Sequence, residues 1–355
     1  MTLIIVAATP TPDRMRVYLV ASRDSNKVLF LPGDLTGCGS CISLRRHCSR
    51  LGTSGTVGPH GGMRFPMLLD YEVFEQALTL FHHYSRQNSE TVRQMQAKGI
   101  LPTTRRRGFA VLDIGAGQGH LPSLMQPYAD TLVLLEPNRR CVEVLQQAFP
   151  HVYPCPWGAS ALERLHRDYP QGFDLITMSH MLYHFDGLDD IRDKVRMALT
   201  LLKPGGQLVI VLNQPSAPMA LIGIAFQVAT GRQAEVATNQ DLHAFCHTSR
   251  FYRDLAGQGT AVVIASIDTP LDRVPSRAAL IALLRMCLIN PLSESPCATD
   301  ELDAFISEFL DSHYPRLTYP ATLPSRDELI VIRLTPAPKG RILAPIRLLY
   351  GLFPG

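Results

Sequence analysis

The feature that most restricts the fold of this chain is a glycine-rich turn between an apolar run and a helical pattern. The apolar run is Phe109-Ala-Val-Leu-Asp-Ile114, and the turn that follows is Gly115-Ala-Gly-Gln-Gly119. A short, nearly continuous apolar run is typical of a strand buried on both faces of a parallel sheet. Glycines let the backbone turn sharply and approach a ligand closely, because a Cβ atom would block both. We therefore expect a strand, a ligand-binding turn and a helix, in this order.

An acidic residue ends the next apolar run. Thr131-Leu-Val-Leu-Leu-Glu136 predicts a second strand, and its last residue lies 19 positions after Gly117. A carboxylate at the end of the second strand of such a unit is placed to accept hydrogen bonds from two ribose hydroxyls. Both a dinucleotide and S-adenosylmethionine carry such a ribose.

The pattern of glycines separates these two ligands. The dinucleotide fingerprint requires a glycine or alanine three positions after its second glycine, so that helix and strand pack closely. In this chain the residue three positions after Gly117 is His120, which is neither glycine nor alanine. Asp113 lies two residues before the first glycine, where its carboxylate would suit a cationic sulfonium ligand and its amino group. The alternative is that Asp113 only stabilises the turn.

Strand and helix patterns alternate from residue 108 onward. This order predicts an α/β fold: a doubly wound, mostly parallel seven-stranded sheet of the Rossmann-like kind, with a helical lid and an N-terminal appendage. The predicted strands are residues 109–114, 131–136, 151–154, 173–179, 207–212, 260–266 and 328–334, and the predicted helices are residues 68–98 with a break near Asn88, 139–149, 161–166, 191–202, 217–228, 238–246, 276–289 and 300–313.

Four ordered motifs resemble the class I S-adenosylmethionine-dependent methyltransferases. They are Val111-Leu-Asp-Ile-Gly-Ala-Gly-Gln-Gly119, Glu136, Phe173-Asp-Leu-Ile with Met181-Leu-Tyr183, and Leu202-Lys-Pro-Gly-Gly206. Together they cover residues 108–213. Within the class, the paired His82-His83, the Met181-Leu-Tyr183 run and a late helical insert resemble the histamine N-methyltransferase branch.

The resemblance implies S-adenosylmethionine as cofactor and assigns residues to it. Gly115, Gly117 and Gly119 would line the methionine part, with Asp113 beside them, and Glu136 would hold the ribose. Trp157 and Ser160 would flank the adenine, although the family often has an acidic residue in this segment. His180, at the end of the fourth strand of the core, would lie near the methyl group and the substrate.

Candidate residues for the acceptor come from the histidines and from the N-terminal helix. His180 and His184 could take a proton from an amine acceptor near neutral pH. The substrate-binding candidates are Tyr71, His83, Arg86 and Tyr183. Arg86 could pair with a substrate carboxylate. For each of these residues the alternative is an ordinary packed or hydrogen-bonded side chain.

The predicted domain organisation has three parts. Residues 1–62 form an N-terminal appendage with three short strand patterns, and Met63 is an alternative start. Residues 63–338 form the methyltransferase domain, with a cofactor-binding core at 108–213 and helical lid parts at 63–100 and 214–325. Residues 339–355 are an apolar C-terminal tail. We expect no metal site, because Cys38, Cys41, His47 and Cys48 lack a second well-spaced ligand pair.

The composition of the chain limits the classes of partner that we expect it to bind. The formal net charge is +3, and 46% of the residues are hydrophobic. The absence of a long basic block predicts no nucleic-acid partner, and no apolar segment is long enough for stable membrane insertion. Eight scattered cysteines favour a reducing cytoplasmic location. We expect a monomer or a homodimer.

The sequence therefore predicts methyl transfer to a small-molecule acceptor: an amine, a phenol or an amino-acid-like compound. Whether nitrogen, oxygen or carbon is methylated stays open. Two alternatives remain, a nicotinamide-dependent oxidoreductase and a nonenzymatic module that binds S-adenosylmethionine or a protein partner.

Overall fold

The computed structural model describes residues 17–21, 28–32, 71–185, 187–214, 216–229, 260–288 and 299–334. The strands of these regions are β1 Val17–Ala21, β2 Val28–Pro32, β3 Ala110–Ile114, β4 Thr131–Leu135, β5 Val152–Tyr153, β6 Phe173–Ser179, β7 Leu202–Asn213, β8 Thr260–Asp268, β9 Leu271–Val274, β10 Ala321–Leu323 and β11 Arg326–Leu334. The α-helices are α1 Tyr71–Tyr84, α2 Gln87–Ala97, α3 His120–Met125, α4 Arg139–Ala148, α5 Ala159–Asp168, α6 Leu188–Thr200, α7 Pro218–Ala229, α8 Arg277–Leu284 and α9 Thr299–His313.

Seven strands form one sheet in the order β5-β4-β3-β6-β7-β11-β8. The pairs β3–β4, β3–β6, β4–β5 and β6–β7 are all parallel. The strand order runs outward from β3 in both directions, so β3 and β6 flank a topological switch point. Ligands of open α/β sheets bind beyond the carboxyl ends of the strands at such a point. The predicted mostly parallel seven-stranded sheet is confirmed.

The central strands are buried because their side chains are apolar on both faces. Val111, Leu112 and Ile114 of β3 are fully buried, as are Val133 and Leu134 of β4. This is the pattern expected for parallel strands that helices cover on both sides. It fixes the positions of the strand ends that carry the candidate site.

The helices around this sheet are amphipathic. In α4, Cys141, Val142 and Leu145 are buried, and the side chain of Asn138 caps the helix by accepting hydrogen bonds from the Arg140 and Cys141 amides. Along α6, Ile191, Val195, Ala198 and Leu199 are buried at three- and four-residue spacing.

The described chain divides into two compact units. Among the residues given above, those within 92–211, 260–265 and 329–334 form the sheet unit, and those within 17–91, 212–229 and 266–328 form the helical unit. The core of the helical unit brings together apolar residues of α1, α7, α8 and α9. Its central members include Phe81, Ile222, Leu280 and Ile306, each at most 2% exposed.

Three features of the fold were not predicted. The long helix pattern breaks at Ser85, three residues before the expected place, and gives α1 and α2. A small antiparallel pair, β9–β10, lies between predicted elements. The fifth strand of the core begins at Leu202 rather than at residue 207, because Lys203-Pro-Gly-Gly206 forms a register shift within β7 instead of a turn before it.

Some expectations concern residues outside the described ranges. They are the first strand pattern at residues 3–8, the cysteine and histidine group from Cys38 to Cys48, the short helix at 238–246 and the tail at 339–355. The other two N-terminal strand patterns form an antiparallel pair, β1–β2. Within the ranges given above, no helix is both long and apolar enough to span a membrane, and no group of three or more potential metal ligands is found.

Candidate functional site

The glycine turn lies at the carboxyl end of β3. Gly115, Gly117 and Gly119 all have positive φ angles, of 81°, 54° and 85°. A Cβ atom on Gly119 would lie 2.7 Å from Leu145 Cδ2 of α4, so this glycine allows close helix packing. A Cβ atom on Gly117 would meet no atom within 4 Å. Gly117 therefore borders open space, as expected where the backbone approaches a ligand.

Glu136 links this turn to the end of β4. One carboxylate oxygen, Oε2, accepts a 2.7 Å hydrogen bond from the Gly117 amide, and Oε1 accepts a 2.8 Å bond from the Asn138 amide. Burial raises the pKa of Glu136, and these two amides oppose that shift. Each oxygen has a second lone pair that can accept a hydroxyl donor.

Asp113 lies beside the switch point and is 2% exposed. It pairs in register with Thr177 of β6, and Thr177 Oγ1 donates a hydrogen bond to Asp113 Oδ1. Burial raises the pKa of Asp113 to about 7, and the negative charge of Glu136 contributes in the same direction, while the Thr177 hydrogen bond opposes both. A cation bound nearby would favour the ionised form of this carboxyl group.

These three features fit S-adenosylmethionine. The open space at Gly117 leaves room for a ligand, and Glu136 offers carboxylate acceptors to a ribose beside that space. The buried Asp113 adds a negative charge that suits the cationic part of the cofactor.

The comparison with protein families agrees with this geometry. A family model described as "Methyltransferase domain" matches residues 80–251, which include the glycine turn, Glu136 and β6. By this match, the segment of residues 80–251, slightly less than half of the chain, is a methyltransferase domain. The predicted enzyme class, an S-adenosylmethionine-dependent methyltransferase, and the predicted cofactor are thereby confirmed. The match favours this methyltransferase over a nicotinamide-dependent oxidoreductase.

Several solved structures are similar to this one at low sequence identity. YcgJ of Bacillus subtilis is 17% identical, with coverage of 70% of this chain and 99% of that chain and a TM-score of 0.43. The N-methyltransferase NodS of Bradyrhizobium japonicum is 15% identical, with coverage of 76% and 100% and a TM-score of 0.35. The plantazolicin methyltransferase BpumL is 12% identical, with coverage of 75% and 92% and a TM-score of 0.40.

No curated protein matches the chain at a significant level. The finer resemblance to the histamine N-methyltransferase branch is not supported by these comparisons. The assignment to the methyltransferases therefore rests on the match to the domain model and not on a relative of high sequence identity.

Trp157 and Ser160, the residues expected near the adenine, differ in their surroundings. Trp157 is 5% exposed, and its indole Nε1 donates a 3.0 Å hydrogen bond to the Lys194 carbonyl of α6. Lys194 Nζ donates in return to the Trp157 carbonyl at 2.8 Å. Ser160 lies on the exposed side of α5. The contacts recorded for Trp157 are thus structural, and the adenine role of both residues stays a prediction.

His180 directly follows β6 and has an unusual backbone. Its φ angle is 53°, in the left-handed region that residues other than glycine rarely adopt. Its amide donates a 2.9 Å hydrogen bond to the Val211 carbonyl of β7. The half-buried imidazole stacks near the Tyr183 ring, with ring centroids 6.5 Å apart and an angle of 27° between the planes. Strained backbone held by its surroundings is frequent at functional sites.

The second predicted catalytic residue, His184, has an exposed side chain at the end of a 3₁₀ turn, Leu182–His184. The structure thus distinguishes the two histidines: His180 is fixed beside Tyr183, and His184 lies at the surface. Their roles in catalysis stay predictions.

Three substrate-binding candidates belong to the helical unit. Tyr71 is the first residue of α1, and its side chain lies outside the described part of the chain. His83 is exposed and packs edge-to-face against Tyr84, with ring centroids 4.6 Å apart. Arg86 forms a 2.6 Å ion pair with Asp272 and is 63% exposed. A substrate carboxylate would have to compete with Asp272 for this guanidinium, which sequence patterns could not reveal.

Proposed function

We propose that this methyltransferase transfers a methyl group from S-adenosylmethionine to a small-molecule acceptor, an amine, a phenol or an amino-acid-like compound. The observation that carries the proposal is the Gly117–Glu136 hydrogen bond beside the open space at Gly117. S-adenosylmethionine supplies a methyl group already activated by the sulfonium charge. The protein has to align the acceptor and exclude water.

His180 is the residue proposed to receive a proton from an amine acceptor. Its position after β6 places it at the carboxyl edge of the sheet, next to β3 and its glycine turn. Two contacts hold His180 at this edge. Its amide donates a hydrogen bond to the Val211 carbonyl, and its ring stacks near the Tyr183 ring. Tyr183 is proposed as an aromatic wall for the acceptor.

The acceptor class is proposed from the charge of the chain. A formal net charge of +3 on 355 residues gives no sign of the strongly basic balance typical of nucleic-acid-binding domains. The scattered cysteines support a cytoplasmic location within the same proposal. Monomer and homodimer both remain compatible with it.

The test is to measure release of S-adenosylhomocysteine with panels of small amines, phenols and amino acids. Turnover with a member of one panel, lost in Glu136→Ala, is the expected result. Glu143→Ala is the matched control, because Glu143 is an exposed glutamate of α4 paired with Arg139. Tight cofactor binding without turnover on any panel would contradict an acceptor of these three classes.

A further inference from the structure

A cavity of about 610 Å³ lies in the sheet unit at the amino-terminal side of β3. The loop of residues 99–107 and Phe109 provide most of its lining, with Gln96 of α2. Pockets for small molecules commonly have volumes of a few hundred to about a thousand Å³. The cavity is open to solvent over much of its boundary, and it has room for a small ligand at the surface.

The lining of this cavity is strongly cationic. It includes three consecutive arginines, Arg105, Arg106 and Arg107, and the neighbouring Thr103 and Thr104. All five side chains are exposed to solvent. Guanidinium groups bind phosphate oxygens through paired N–H donors, and hydroxyls add further donors.

One carboxylate faces this positive charge. Asp130 Oδ1 lies 3.4 Å from Arg105 Nη2, and Asp130 Oδ2 accepts a 3.0 Å hydrogen bond from the Gly108 amide. The Gly108 amide lowers the pKa of Asp130, and the charges of Arg105 and Arg107 add to this effect. One carboxylate cannot balance three guanidinium groups, so the cavity keeps a net positive charge.

The loop that carries the arginines is anchored at both ends. Ile100 and Leu101 are at most 2% exposed on one side, and Phe109 is 5% exposed on the other. The Arg106 amide donates to the Tyr128 carbonyl at 3.3 Å, and its guanidinium lies 5.9 Å from the centre of the Phe109 ring. The backbone of this loop is therefore held in place, and binding has to order only the exposed arginine side chains.

We propose that this cavity binds the phosphate groups of a small phosphorylated molecule, at a site separate from the methyl-transfer site. The three guanidinium groups provide the charge and the donors, and the threonine hydroxyls complete the set. A small molecule fits better than a nucleic acid, because the three arginines belong to one short loop that lines a single cavity.

The two sites occupy opposite edges of the sheet unit. The cavity precedes β3 at Phe109, whereas the glycine turn follows β3 at Gly115. A strand rises about 3.3 Å per residue, so about 20 Å separate these two points. Loss of phosphate binding and loss of S-adenosylmethionine binding are therefore separate observations.

The experiment is a calorimetric titration of the full chain with inorganic pyrophosphate, with glycerol 3-phosphate and with a short single-stranded RNA, at about 50 mM and about 150 mM NaCl. The test variant combines Arg105→Gln with Arg107→Gln. The control combines Arg196→Gln with Arg316→Gln, two exposed arginines outside the cavity lining. S-adenosylmethionine binding checks that each variant is folded.

The expected result is binding of either phosphate compound that weakens with salt, falls about tenfold or more in the test variant and changes less than about twofold in the control. Stronger binding of the ester than of pyrophosphate would identify an organic phosphate as the ligand source. Stronger binding of pyrophosphate would identify an inorganic one.

Three results would overturn the proposal. The first is no binding of either compound by the wild-type chain. The second is equal weakening in the test and control variants, which would indicate diffuse charge rather than a site. The third is tighter binding of a short single-stranded RNA, lost in the same test variant, which would assign the surface to nucleic acid.

Discussion

At the scale of single residues, the candidate site depends on backbone conformations that side-chain patterns only partly reveal. The glycine spacing predicted a tight turn, and all three glycines have positive φ. The left-handed backbone of His180 was not predictable, because nothing in the sequence around a histidine specifies this conformation. The sequence predicted Asp113 as a cofactor residue from its position before the glycine turn. The structure adds that this carboxyl group is buried where β3 pairs with β6.

Gly117 and Gly119 are expected to respond differently to alanine. In Gly119→Ala the new Cβ would overlap Leu145, a fully buried side chain, and the overpacking should lower the free energy of unfolding by about 1–3 kcal/mol beyond the backbone strain. Gly117→Ala adds only the left-handed strain of about 1–2 kcal/mol, but its methyl group enters the space proposed for the cofactor.

Urea unfolding and calorimetric binding of S-adenosylmethionine would separate these effects. Gly119→Ala should be the less stable of the two variants. Gly117→Ala should lose more affinity for S-adenosylmethionine, relative to its smaller loss of stability. The reverse order would contradict the assignment of the open space at Gly117 to the cofactor.

Asp113 should make stability depend on pH. Its pKa is raised to about 7 in the folded chain, so the native state holds a proton that the unfolded state releases at lower pH. This contribution is fully present below pH of about 4 and is lost as pH rises through about 7, at about 1 kcal/mol per pH unit.

The measurement is the free energy of unfolding of wild type and Asp113→Asn at a series of pH values from 5 to 8, roughly the range over which Asp113 titrates. The difference between the two should shift in favour of Asp113→Asn as pH rises, because asparagine does not ionise. A difference that stays constant over this range would argue against a raised pKa.

At the scale of elements, the sequence predicted long apolar strands well and short polar ones poorly. Strands β3, β4 and β6 follow directly from continuous apolar runs, because burial on both faces requires them. The pair β9–β10 has only four and three residues, and it joins segments far apart in the chain. Periodicity cannot detect such a pair, since neither segment is long enough to show a pattern.

The reciprocal contacts of Trp157 and Lys194 connect the start of α5 to α6. Trp157→Phe removes the indole donor and leaves the Lys194 carbonyl without it, so we expect a loss of about 1–2 kcal/mol in the free energy of unfolding. If the role of Trp157 is only structural, affinity for S-adenosylmethionine changes little.

Thermal unfolding and calorimetry on the same preparation would test this. Ser160→Ala is a suitable companion, because Ser160 is exposed and was predicted for the same adenine position. A large loss of affinity in Trp157→Phe with little change in the unfolding temperature would restore the adenine assignment.

At the scale of the whole molecule, the cofactor residues are concentrated in one part of the chain. Asp113, the three glycines and Glu136 all belong to the sheet unit. The N-terminal strands β1 and β2 form a separate two-stranded sheet and pair with each other. The predicted substrate residues Tyr71, His83 and Arg86 belong to the helical unit. Their positions in the sequence therefore could not predict whether they lie near the cofactor residues.

A variant that begins at Met63 should therefore retain its affinity for S-adenosylmethionine within about twofold, because no residue of the proposed cofactor site is removed. Calorimetric titration of this variant beside the full chain is the measurement. Loss of binding with a normal unfolding transition would assign a direct role in the site to residues 1–62.

Two backbone amides of the chain itself hold the Glu136 side chain in place. A ligand that meets a flexible glutamate must restrict its rotation, and each such side chain costs about 0.5–1.5 kcal/mol of binding free energy. Here folding has already restricted that rotation. The ribose therefore meets a rigid acceptor, and the enzyme should show a smaller entropic penalty on cofactor binding than a site whose acid becomes ordered only on contact.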